Sequence, residues 1–154
     1  MLCYLRLALD CHDSGSFDYA VNTPIRSVGV ATKQKIMGYH LSYWQACEAM
    51  ISAGLSVGKA AQGIREFTTL IESLHLTISE LSLVDALRLI IHQAKLIGWF
   101  ERADDAQDRI DNLDELLQLA VAFKGDDEVD LTIHEQFLAH ACLSTDEEKG
   151  RGFN

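Results

Sequence analysis

Proline is almost missing from this chain: Pro24 is the only one in 154 residues. Away from that point nothing blocks long helices by removing a backbone donor. Cysteine is sparse too. Cys3, Cys11, Cys47 and Cys142 are scattered, with no C-x-x-C pair, so reduced thiols are expected rather than a disulfide framework. There is no signal-peptide pattern, and no apolar run approaches the roughly 18 to 20 residues that cross a membrane. A cytoplasmic location is therefore expected. No G-x-x-x-x-G-K-[ST] loop and no acidic Walker B pattern occurs, so these residues are not expected to bind nucleotide or any other cofactor. A last absence is local. From Tyr19 to Cys47 there is no acidic residue, in a chain that has 23 of them.

What is present is a globular composition, 48% hydrophobic, with a formal net charge of −10. Such a charge argues against a general nucleic-acid binder. The average hides an asymmetry. Between Tyr19 and Arg65 lie five bases (Arg26, Lys33, Lys35, Lys59, Arg65) and one acid, Glu48. The acid-free stretch contains Pro24 and the turn Arg26-Ser27-Val28-Gly29, which leads into a helix carrying Lys33 and Lys35. A glycine-containing turn that opens a helix leaves backbone N–H groups pointing one way, and the helix dipole adds partial positive charge there. That combination binds phosphate. The plainer reading is a turn that merely starts a helix, and for Thr32, Lys33 and Lys35 a solvated helix face.

Periodicity predicts helices throughout. Leu2 to Asp10 reads as the end of a helix, and Phe17 to Val21 as a turn stopped by Pro24. Val30 to Tyr39 is the basic helix, and Ser42 to Ala53 the next, capped by Ser42 and ended by Gly54. Val57 to Leu74 has the cleanest period: Val57, Ala60, Ala61, Ile64, Phe67, Leu70, Ile71 and Leu74. Leu83 to Ile97 is apolar nearly all round, so a central buried helix is expected, started by Ser82 and Asp85 and stopped by Gly98. Ala106 to Lys124 carries Ile110, Leu113, Leu117 and Ala120 inward and ends at Gly125. Thr132 and Glu135 form a capping box for a last helix through Leu143. No period-2 strand is found. The expectation is one compact all-α, multi-helix domain over residues 1–143 with short loops and no sheet, then a disordered polar tail, 144–154. Met1 runs directly into a helix without a cap, so a piece of a longer chain is expected.

The ordered set Tyr4-Leu5-Arg6-Leu7, Phe17, Val21-Asn22-Thr23-Pro24-x-Arg26-x-x-Gly29, Trp44-Gln45-Ala46-Cys47, Arg109-Ile110-x-Asn112-Leu113-x-Glu115-Leu116 and Phe137-Leu138 resembles the 2B subdomain of UvrD/Rep/PcrA-type superfamily 1 DNA helicases. In that family the turn reads T-P-x-R-G-I-G and is similar to a helix-hairpin-helix element that contacts duplex DNA. Here Ser27 stands at the first glycine; if that position needs a positive φ, serine is strained. Asp10-Cys11 also departs from the family's Asn-Pro. The resemblance implies an accessory, regulatory subdomain of an ATP-dependent 3′–5′ helicase acting in DNA repair or replication, without activity of its own. ATP and Mg²⁺ would belong to motor domains elsewhere. Thr23, Arg26, Ser27, Val28, Gly29, Thr32, Lys33 and Lys35 become the candidate DNA contacts. The implied partners are the duplex backbone, the motor domains, and repair or transcription proteins.

A second function class rests on the acidic segment. Glu101 to Asp130 holds eleven acids and three bases, with Asp104, Asp108, Asp111 and Glu115 on one face. A protein-interaction module could use it, although a solvated face is the simpler reading. The ligand spacing of an EF-hand is absent. Glu72-x-x-His75 is half of a di-iron pattern without its second copy. His134, His140 and Cys142, and likewise Cys3, Cys11 and His12, do not have zinc spacing. Trp44, Trp99 and Phe100 read as core or core edge, with base stacking by Trp99 as the alternative.

Overall fold

A computed structural model describes residues 1–39, 41–54 and 58–151, with side chains through 143. The elements are α1 (Leu2–Leu9), α2 (Ser14–Ala20), α3 (Val30–Met37), α4 (Tyr43–Ser52), α5 (Lys59–Ile78), α6 (Leu83–Gln93), α7 (Leu96–Phe100), α8 (Ala106–Ala122) and α9 (Ile133–Arg151). Among the described residues there is no strand. Val57, assigned above to the start of the most regular helix, lies outside the described residues.

Two helices organise the packing. α1 touches α2, α5, α6 and α9, and α5 touches α1, α4 and α6. α1 buries Tyr4, Leu5, Leu7 and Ala8, and α5 buries Ile64, Phe67, Ile71, Leu74 and Ile78. Burying side chains of this size contributes about 1.5–3 kcal/mol each. Phe67 is the hub, with Phe17 5.4 Å away and Tyr4 6.0 Å away, both edge-on, the arrangement that ring quadrupoles favour. His75 Nδ1 lies 2.8 Å from the Ala8 carbonyl and ties α5 to the end of α1.

The caps follow the sequence in part. Ser42 and Gln45 form a reciprocal capping box. Ser82 accepts from the Asp85 N–H, and Thr132 and Glu135 close the last helix start. Gly54 follows α4 at φ +62. Asp13 caps α2 by accepting from the Ser16 N–H at 2.7 Å.

Four expectations change. Gly98 does not stop the Leu83 helix; the break comes at Lys95, at φ +55, and Gly98 lies inside α7. α6 is not buried all round: Leu83, Ala86, Leu87, Ile90 and Ile91 point inward while Asp85, Arg88 and His92 are exposed. α8 ends at Ala122, before Gly125, with Leu113 and Ala120 as its buried residues. The backbone of α9 continues past Leu143 to Arg151.

Candidate nucleic-acid interface

The turn between α2 and α3 is held by side chains rather than by regular backbone bonds. Asn22 Oδ1 accepts from the Arg26 N–H at 2.8 Å and the Val28 N–H at 3.2 Å. The Arg26 guanidinium folds back over the end of α2. Its Nη1 donates to the carbonyls of Ala20, Val21 and Pro24, and its Nη2 donates to the Tyr4 hydroxyl at 2.8 Å. The last carbonyls of a helix have no partner within it, and a cation is favoured there by the dipole. The same guanidinium lies 5.1 Å from the Phe67 ring centre, a cation–π distance. The Tyr4 hydroxyl donates to the Thr23 carbonyl at 2.6 Å. Burial pushes the Tyr4 phenol up, opposed by Arg26, so it remains a neutral donor.

Below this knot sits Gly63, in the middle of α5. A Cβ there would lie 1.8 Å from the Arg26 carbonyl oxygen. Only glycine lets the turn rest on the helix backbone. A glycine inside a helical period is the sequence signal for such an approach, and it was available at Gly63.

These contacts sort the candidate residues. Arg26 and Val28 are structural: the guanidinium is engaged inward, and Val28 is fully buried with its N–H taken. Thr23 is half-buried and gives its carbonyl to Tyr4. Lys33 pairs with Asp18 at 3.1 Å and also donates to the Asp18 carbonyl, tying α3 to α2. Ser27, Gly29 and Lys35 are exposed, and Thr32 is half-buried. Ser27 adopts φ +61, the conformation for which a glycine would be the unstrained choice. Gly29 is the N-cap of α3, with no side-chain cap and open space where a Cβ would stand. Among the described residues no acceptor meets the N–H groups of Val30, Ala31 and Thr32. The turn thus presents three unmet donors and a helix dipole to solvent, with Lys35 on the same helix.

A cleft of about 810 Å³ borders the turn and is lined by Tyr19, Thr23, Lys33, Trp99, Phe100 and Arg109. Both cations there are paired, Lys33 with Asp18 and Arg109 with Asp105 at 2.6 Å. Trp99 is half-buried at its edge. Among the described residues no group of three His, Cys, Asp or Glu side chains is placed to hold a metal, and no helix is long and apolar enough to cross a membrane.

No protein-family model matches the chain. The chain is 31% identical to DNA helicase II of Escherichia coli over 153 residues, covering 95% of the chain and 21% of that protein. It is 30% identical to DNA helicase II of Haemophilus influenzae over 155 residues, 96% of the chain and 21% of the relative. It is 32% identical over 130 residues to the ATP-dependent DNA helicase PcrA of Bacillus subtilis, 80% of the chain and 18% of the relative. The chain spans about a fifth of the length of these curated relatives. By sequence it is a homologue of one segment of the UvrD-type helicases, DNA helicase II and PcrA.

Proposed function

We propose that the chain is the helical 2B-type accessory subdomain of an ATP-dependent 3′–5′ DNA helicase of repair or replication, and that it contacts the backbone of duplex DNA through the N-terminus of α3. The observation that carries this reading is the uncapped start of α3 at Gly29, open to solvent and held out by the Arg26 knot. A phosphate placed there meets backbone donors and the positive end of the dipole. Such contacts position DNA and do not read its sequence. In this reading ATP and Mg²⁺ are held by motor domains outside these residues, the chain hydrolyses nothing itself, and it works in the cytoplasm. The subdomain moves as a rigid body, gripping or releasing the duplex while the motor supplies the work.

Arg26 and Lys33 are poor probes, because removing either loosens the turn. Gly29 and Lys35 are better. Gly29 has φ −81 and ψ −174, which any residue adopts. Gly29→Asp supplies the missing cap and leaves stability unchanged or a few tenths of a kcal/mol higher. It also puts a carboxylate where the phosphate sits. Fluorescence anisotropy with a tailed duplex should show binding weakened about tenfold or more in this variant. Undiminished binding in a folded Gly29→Asp chain rejects the interface.

A second reading draws on a different surface. Asp104, Asp108, Asp111 and Glu115 are all exposed. An exposed acidic face suits a basic repair or transcription protein. Duplex binding that ignores Gly29 and Lys35 would favour it.

A further inference from the structure

The cleft of about 810 Å³ beside the turn is built largely from aromatic side chains. Tyr19 of α2 lines one wall, and Trp99 and Phe100 of α7 line another together with Arg109 and Asn112 of α8. The buried Tyr4 also borders it. Aromatics make up 8% of the chain, so four in one cleft are a local concentration of stacking surface. Tyr19 is 73% exposed, and Trp99 and Phe100 are half-buried. Aromatic side chains left open to water in a cleft bind planar rings.

The polar groups decide which kind of ring. Lys33 and Arg109 are already neutralised by Asp18 and Asp105, so the cleft has little net charge to offer a phosphate. Asn112 is exposed, and among the described residues its amide makes no hydrogen bond. A carboxamide sets a donor beside an acceptor, which matches the edge of a nucleobase. A neutral, planar, hydrogen-bonding occupant is therefore favoured, and the volume lies within the roughly 300–1,000 Å³ of small-ligand sites. A base inside a duplex is enclosed by its neighbours and cannot offer its face; an unpaired base can. The cleft also begins at the turn, since Thr23 and Lys33 line it. The Lys33 N–H donates to the Gly29 carbonyl at 3.0 Å, which puts Lys33 one helical turn, about 5.4 Å, from the uncapped start of α3. At about 3.4 Å per nucleotide along a stacked strand, that is one to two nucleotides.

We infer that the cleft between α2 and α7–α8 receives an unpaired nucleobase from a strand held at the α3 turn, stacking it on Trp99 and Tyr19 and meeting its edge with Asn112. The inference rests on the proposed duplex contact and deepens it by naming a base-binding site separate from the phosphate contact. The test is fluorescence anisotropy of the full chain on a tailed duplex in which the first, second or third unpaired nucleotide is made abasic in turn. At one of these positions, loss of the base should weaken wild-type binding about tenfold. Trp99→Ala and Tyr19→Ala should each weaken binding of the intact tailed duplex about tenfold, and Asn112→Ala about fivefold. All three variants should be indifferent to the abasic substitution and bind a blunt duplex as wild type does. Tyr19→Ala and Asn112→Ala, at exposed side chains, decide the matter if Trp99→Ala does not fold. A wild-type chain that tolerates all three abasic positions overturns the inference and leaves the cleft to another occupant. Variants that weaken blunt and tailed duplexes equally overturn it too. If the base-dependent loss is seen while Gly29→Asp binds normally, the cleft stands and the turn contact falls. Absence of DNA binding by the wild-type chain overturns both.

Discussion

Ser27 holds a left-handed conformation at φ +61, which costs a non-glycine residue about 1–2 kcal/mol. The knot around it bears that cost: Asn22 fixes the N–H groups on either side, and Arg26 fixes the carbonyls before it. Ser27→Gly removes the strain and adds some flexibility to the unfolded chain. It should raise stability by about 0.5–1 kcal/mol, read as a higher denaturant midpoint with an unchanged m-value. A lower midpoint would mean that the serine side chain contributes something the backbone angle does not reveal. Cys47 illustrates the opposite kind of residue. Burial pushes its thiol up to about 12, so it is inert packing.

At the scale of the element, α9 carries a pH response. His134, in its first turn, is 4% exposed, and among the described residues its Nε2 has no partner. Burial lowers its pKa from the ordinary 6.5, opposed by the Leu81 backbone and Glu135. The folded state thus favours the neutral ring, and below about pH 6.5 the unfolded chain takes up the proton first. Stability should therefore fall as pH drops from 7.5 to 5, and His134→Gln should flatten that slope. The carboxylates held low by hydrogen bonds, Asp105 to Arg109 and Glu135 to Thr132, lose their contribution only at more acid pH. Equal slopes in wild type and variant would show that the loss arises elsewhere. Helix starts of this kind were legible in the sequence, because Ser42, Ser82 and Thr132 act on N–H groups three residues away. The break at Lys95 was not. A lysine gives no local signal for a left-handed corner, whereas Gly98 nearby gives a misleading one. Arg26 was legible as a turn residue but not as an inward one. Its direction depends on Tyr4 and Phe67, 22 and 41 positions away, and sequence spacing does not carry that information.

For the whole molecule, the charge of −10 has two opposed consequences. Self-repulsion destabilises the compact state, and salt screens it. Salt also competes with the proposed phosphate contacts, by about 0.9 log unit per contact for each tenfold rise. Raising sodium chloride from about 0.05 to 0.5 M should lift the melting temperature by a few degrees and weaken duplex binding over the same range. Calorimetry and anisotropy on one sample series check both signs. A melting temperature that falls with salt would mean that pairs such as Lys33 with Asp18 outweigh the repulsion. Gly63 adds a mechanical property. Where the turn rests on α5, main chain lies against main chain with no side chain to act as a cushion. A pull on the loop should therefore pass directly to α5, the longest helix among the described residues, with no side chain between them to yield first.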